Sequence, residues 1–232
     1  MTSIGDAPPR FDSPRSLVDE AVRVITERIM RGEFPPGMRL VEEQLAREFG
    51  ISRPPIRESF RVLEREGLVT NLPRRGVRVK PTSADEVGDI YLCRSVLAGL
   101  AARLAAQHIT DQLRTELEHS LAQLEALAAQ SDVVGYHQEI GRFHEVIERA
   151  SQNSQLQQLL QSLGVRVRRL SFTSLSLPGR LEASIQFHRQ LTAALVRGDA
   201  VSAERLGRGL LEDAMPALVD YVRETTELTT QP

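Results

Sequence analysis

The sequence predicts a mostly α-helical protein in two parts: an N-terminal winged helix-turn-helix with a small β-hairpin, and a C-terminal all-α helical bundle. Three observations predict this. Only Ile51 and Ser52 separate two helical patterns, a connection too tight for antiparallel neighbours and suited to crossed helices. Leu68–Thr70 and Val77–Val79 alternate as strands on either side of Pro73-Arg74-Arg75-Gly76. After Pro81 no strand pattern occurs, and each stretch keeps a helical period between cap and stop residues.

Residues 1–12 are polar and read as a flexible tail. Residues 13–80 form the winged unit. Ser13 offers an N-cap with Pro14 at the first helical position, and Leu17, Ala21, Val24, Ile25 and Ile29 keep the period to Met30. Gly32 and Phe34-Pro35-Pro36-Gly37 end that helix in a turn. A second helix carries Val41, Leu45, Ala46 and Phe49 and stops at Gly50. A third runs over Arg53–Glu66 and closes at Gly67, before the hairpin. Pro81 and Thr82 mark a joint, and residues 83–232 form the bundle. Ser83 and Glu86 make an S-x-x-E capping box, followed by helices over 84–107, 111–129, 132–151, 154–174, 180–197 and 200–225. Leu113, Leu117, Leu121 and Leu124 form an apolar stripe of bundle core.

Composition narrows the function classes. With 41% hydrophobic and 26% charged residues over 232 positions, the chain is that of a globular protein. Its one cysteine, Cys93, excludes an intramolecular disulfide and a cysteine-based zinc site. No apolar run reaches a membrane span, and the opening residues lack the apolar core of a signal peptide, so a cytoplasmic location is expected. The net charge of −2 hides an asymmetry: residues 1–80 hold 15 basic against 12 acidic side chains, residues 81–232 hold 14 against 19. The first part is therefore the one suited to a polyanion.

The third helix gives that polyanion a form. Ile56, Phe60 and Leu63 share one face, and Arg53, Arg57 and Arg61 form a stripe about a quarter-turn away. Guanidinium groups match the O6/N7 edge of guanine in the major groove and also reach phosphate. Ser52 at the helix start offers a cap and the positive end of the dipole to a phosphate, while Pro54 and Pro55 are tolerated in the first turn. At the hairpin tip, Arg74 and Arg75 beside Gly76 allow close approach to phosphates or a minor groove. Read from residues alone, the same arginines also fit a solvated face paired with Glu58, Glu64 and Glu66.

Residues 17 to 80 resemble the GntR family of bacterial transcriptional regulators. The motifs are I-x-x-G-x-F-x-P-G-x-x-L at Ile29–Leu40, E-x-x-L-A-x-x-F-G-I-S-R-x-P-I-R-E-S-F at Glu42–Phe60, L-x-x-E-G-L-V at Leu63–Val69 and P-R-R-G-V-x-V at Pro73–Val79. The second half resembles the FCD effector domain of the FadR subfamily, through segments Ile90–Ala102, Arg142–Asn153 and His188–Asp199. The resemblance implies a homodimer that presents two winged helices to an inverted-repeat operator in double-stranded DNA, a repressor whose affinity a small carboxylate effector modulates. It places Ser52, Arg53, Pro54, Arg57 and Gly76 at DNA-contacting positions. Pro54 stands where the family commonly has Thr, and Glu43 where some members have a DNA-contacting Arg.

Members with an FCD domain often hold a divalent metal through one Asp and three His. His144 and His188 match two of these positions, whereas Ile140 and Leu210 replace the other two, so no metal cofactor is expected. His137 lies two turns before His144, about 10.8 Å along the axis and too far to share an ion. His144, His188 and Arg94 are the expected effector-binding residues, with ordinary hydrogen-bonded bundle histidines as the other reading.

Two rival classes remain at this point. An enzyme is disfavoured because His144-Glu145-Val146-Ile147-Glu148 lacks the second His of H-E-x-x-H and no phosphate-binding or nucleophile motif occurs. A helical interaction module would use the basic wing on an acidic protein partner, with weak and sequence-independent duplex binding.

Overall fold

The computed structural model describes residues 14–30 and 32–230; the expected tail at 1–12 and the Ser13 cap lie outside them. The chain divides into two compact units between Pro81 and Thr82.

The first unit contains α1 (Pro14–Met30), β1 (Arg39–Leu40), α2 (Glu42–Phe49), α3 (Arg53–Arg65), β2 (Val69–Leu72) and β3 (Gly76–Val79). Its core is one apolar face from each helix: Ala21, Ile25 and Ile29, Leu45 and Phe49, and Ile56, Phe60 and Leu63 are all buried. Gly50 ends α2 in the left-handed region with φ 66°. There its N–H donates to the Arg47 carbonyl, and Ile51 N–H reaches back to Ala46 O at 3.0 Å. This paired closure stops the helix within one residue and lets α3 start at once at a crossing angle.

The sheet is antiparallel with order β1-β3-β2 and Leu72 opposite Gly76. It is one strand larger than the expected hairpin, because Arg39 and Leu40 pair with Arg78 and Val77. Two residues are too few for an alternating pattern to show in sequence.

The second unit contains α4 (Ala84–Gln107), α5 (Asp111–Ala129), α6 (Val133–Ala150), α7 (Ser154–Leu175), α8 (Arg180–Val196) and α9 (Ala200–Thr230). Five starts are closed by side chains: Ser83, Thr110, Asp132, Asn153 and Asp199 accept from the N–H of Glu86, Leu113, Gly135, Leu156 and Ser202. Leu113, Leu117 and Leu124 are buried in the main core with Tyr136, Phe143, Leu160 and Leu195. A second cluster unites Val87, Ile90 and Tyr91 of α4 with Leu170 of α7 and Leu218 of α9.

Helices α4 and α9 meet backbone to backbone. A Cβ on Gly207 would stand 3.1 Å from Ala98 O and 3.3 Å from Gly99 Cα, tight enough that α4 would have to give by a few tenths of an ångström to admit one. Among the described residues, no helix is long and apolar enough to cross a membrane.

Candidate nucleic-acid interface and bundle site

Helix α3 holds Ile56, Phe60 and Leu63 against the core, which turns its arginine stripe to solvent. The side chains of Arg53, Arg57 and Arg61 are 59%, 57% and 68% exposed. They face an open groove of about 440 Å³ shared with Arg39, Glu42 and Gly76.

The acids that meet these cations are not all the expected ones. Arg61 pairs with Glu58 at 2.9 Å. Glu64 instead accepts the backbone N–H of Asn71 at 3.0 Å, fastening β2 to α3. Arg53 and Arg57 share Glu42 at the start of α2. Arg53 Nε donates to Glu42 Oε1 at 2.9 Å, and Arg57 donates from Nε at 3.1 Å and Nη2 at 2.9 Å. The Arg57 hydrogen bonds, and then Arg53, hold the Glu42 carboxyl below its ordinary range, against some opposition from burial. Arg57 is raised in return by Glu42. Sequence reasoning missed Glu42 because the pairing spans the turn and no helical spacing connects residue 42 with 53 or 57.

Ser52 occupies the N-cap position in extended conformation, but its side chain caps nothing. The physical reason is the next dipeptide. A cap hydroxyl accepts from the N–H of the second or third helical residue, and those are Pro54 and Pro55, which have none. The expected ring of free amides at this helix start is therefore reduced, and the Ser52 hydroxyl is not committed to the helix.

The wing tip is a tight turn in which Arg75 N–H donates to Leu72 O at 3.0 Å. Pro73 fills its second position and Arg74 its third, where φ is 64°. A proline followed by a positive φ is the type II arrangement, which favours glycine at that third place. Arg74 thus holds its guanidinium at the apex against a backbone preference of about 1 kcal/mol.

In the second unit His188 is fully buried on α8. Its ring packs edge-on against Phe143 at 5.1 Å and His144 at 5.6 Å between centroids. Its Nδ1 lies 2.7 Å from Ser184 O. A carbonyl only accepts, so Nδ1 carries the hydrogen and Nε2 presents a lone pair. Burial lowers His188 to about 4, which keeps this ring neutral. Loss of solvent, then His188 and Arg94, hold His144 well below its ordinary value.

His188 Nε2 is buried without a hydrogen-bond partner, as is Thr192 Oγ1 one turn further along α8. Ser184, His188 and Thr192 lie at i, i+4 and i+8, a polar line inside an apolar bundle, and Tyr136 donates to Ser184 Oγ at 3.2 Å. Thr192 and Ser184 escaped sequence reasoning, although the spacing of four was there to read. Arg94 comes near His144 but is engaged. It donates to Glu148 Oε1 and to Leu160 O, each at 3.0 Å, supplying the anionic partner a buried guanidinium requires.

This donor set does not fit a divalent metal. Two imidazoles are present, Ile140 and Leu210 are buried apolar side chains, and among the described residues no group of three or more His, Cys, Asp or Glu is placed to hold an ion.

Comparison with known proteins adds independent observations. Residues 17–79 match the bacterial regulatory proteins of the gntR family, and residues 89–213 match the FCD domain. The HTH-type transcriptional regulator YdhC of Bacillus subtilis is 29% identical over 78% of this chain and 82% of its own length. The gluconate operon transcriptional repressor of Bacillus licheniformis is 31% identical over 72% of this chain and 69% of its own. The solved structure of E. coli McbR/YncC superposes with a TM-score of 0.73 at 22% identity, covering 90% of this chain and 98% of that one, a likeness of fold.

Proposed function

As a member of the GntR family with an FCD domain, this chain is a DNA-binding transcriptional regulator, and we propose that it represses transcription from an inverted-repeat operator as an effector-responsive homodimer. The enzyme alternative falls with the family.

The observation that carries the reading is the exposed arginine stripe of α3 beside the arginine-tipped wing. Arg53 and Arg57 read base edges, Arg61, Arg74 and Arg75 contact phosphate, Ser52 and Gly76 permit close approach, and Pro54 shapes the helix start. Support for a second copy comes from α4. Leu92, Val96 and Leu100 are 56%, 47% and 38% exposed at a spacing of four, an apolar stripe along the solvent face of that helix.

The effector site is the polar line on α8 with His144 and Arg94. Because His188 Nε2 is an acceptor, a bare carboxylate gains nothing from it. A hydroxyl-bearing acid satisfies both orphan atoms, its hydroxyl donating to His188 and its carboxylate accepting from Thr192. Binding there shifts the equilibrium between two bundle states of different operator affinity.

The test begins with duplexes recovered from a random pool by in vitro selection. The wild-type chain is expected to protect an inverted repeat and to lose affinity steeply with salt. Arg57→Ala should lower the preference for the selected duplex over random sequence by about 1–3 kcal/mol. Equal losses on both duplexes would remove α3 from readout.

A further inference from the structure

Glu42 is an acid in the middle of a surface meant for a polyanion. Alone it would repel phosphate, yet it is the best-tethered side chain of the groove. Only 19% of it is exposed, against more than half of each arginine it holds. We propose that Glu42 is a positioning residue for base readout, orienting the Arg53 and Arg57 guanidinium planes while withholding positive charge from the DNA backbone. The inference rests on the reading of Arg53 and Arg57 given above.

Donor accounting supports it. A guanidinium carries five N–H groups. Glu42 takes the Nε–Nη2 side of Arg57 and the Nε of Arg53. Each arginine keeps its outer Nη1–Nη2 end, the pair that a guanine O6/N7 edge accepts. The carboxylate therefore engages the parts of both side chains that readout does not use. Two long flexible side chains anchored on a single rigid point lose less freedom on binding a base, a benefit that operates only where the base is the correct one. A net charge of one positive unit, where two stand, also weakens the attraction common to every sequence.

The full-length chain is tested as wild type, Glu42→Gln, Glu42→Asp and Arg57→Ala, on the selected duplex and on a random duplex of equal length. Glu42→Gln is expected to bind random DNA more tightly, to steepen the dependence of log affinity on log salt by about one, and to reduce the selected-to-random ratio roughly fivefold or more. Glu42→Asp keeps the charge but withdraws the carboxylate by one methylene, so its ratio should fall at an unchanged salt slope. A helix-stabilising role alone would weaken both duplexes in parallel and leave the ratio untouched, which overturns the proposal. If Glu42→Gln does not fold, the Glu42→Asp ratio decides in the same way. A ratio unchanged by Arg57→Ala refutes the readout assignment itself, whereas a ratio reduced by Arg57→Ala but not by the Glu42 variants refutes only the positioning.

Discussion

Single residues in both units do something their type disfavours. Arg74 occupies a turn position that prefers glycine, with φ at 64°. Arg74→Gly should raise stability by about 1 kcal/mol in thermal or denaturant unfolding. It should also weaken selected and random duplexes alike and flatten the salt slope by about one. Gain in fold and loss in binding together would identify the strain as functional. His188 titrates in the opposite sense to a charged partner. Its folded value is about 4, below the ordinary 6.5 of histidine. Above that ordinary value neither state holds the proton. Between about 6.5 and 4 the unfolded chain takes it up and the folded chain does not, so stability falls as pH drops through this window. The full effect is about 3 kcal/mol, with His144 adding in the same direction. The rings packed edge-on against it, Tyr136, Phe143 and His144, offer no anion to reverse it. Urea midpoints across this range should show the loss, and His188→Asn should flatten the profile.

Elements were legible in the sequence to the extent that their cause was local. Ser83, Thr110, Asp132 and Asn153 announce helices because a cap is a one-turn interaction, and each proved to bond the amide three residues on. The arginine stripe of α3 was legible from its offset to Ile56, Phe60 and Leu63. The unread features depend on other elements. The β1 strand exists only because β3 pairs with it, and Glu42 matters only because α2 and α3 cross. Likewise, the unsatisfied Nε2 of His188 follows from its neighbours and not from its type. The α4–α9 crossing is of this kind and can be tested. Gly207→Ala would press a methyl group against Ala98 O, forcing the helices apart at about 1–3 kcal/mol in thermal unfolding. Gly141→Ala, on α6 with nothing within 4 Å, should instead add about 0.5–1 kcal/mol through helix propensity.

For the whole molecule, the homodimer proposed above makes one copy an incomplete reader, and the apolar stripe on α4 is where its interface is tested. Replacing both Leu92 and Val96 with Glu should convert a dimer to a monomer in sedimentation, while each monomer keeps its winged unit and binds half an operator weakly. A dimer that survives both charges would place the interface elsewhere. The start of α3 has a further consequence. Two consecutive pyrrolidine rings fix the backbone of its first turn, so the probe that enters the groove is stiff before it arrives. A stiff probe has no pose to adjust when the bases change. On the readout proposed above, a new operator preference would then come from exchanging side chains on α3, not from re-posing its backbone.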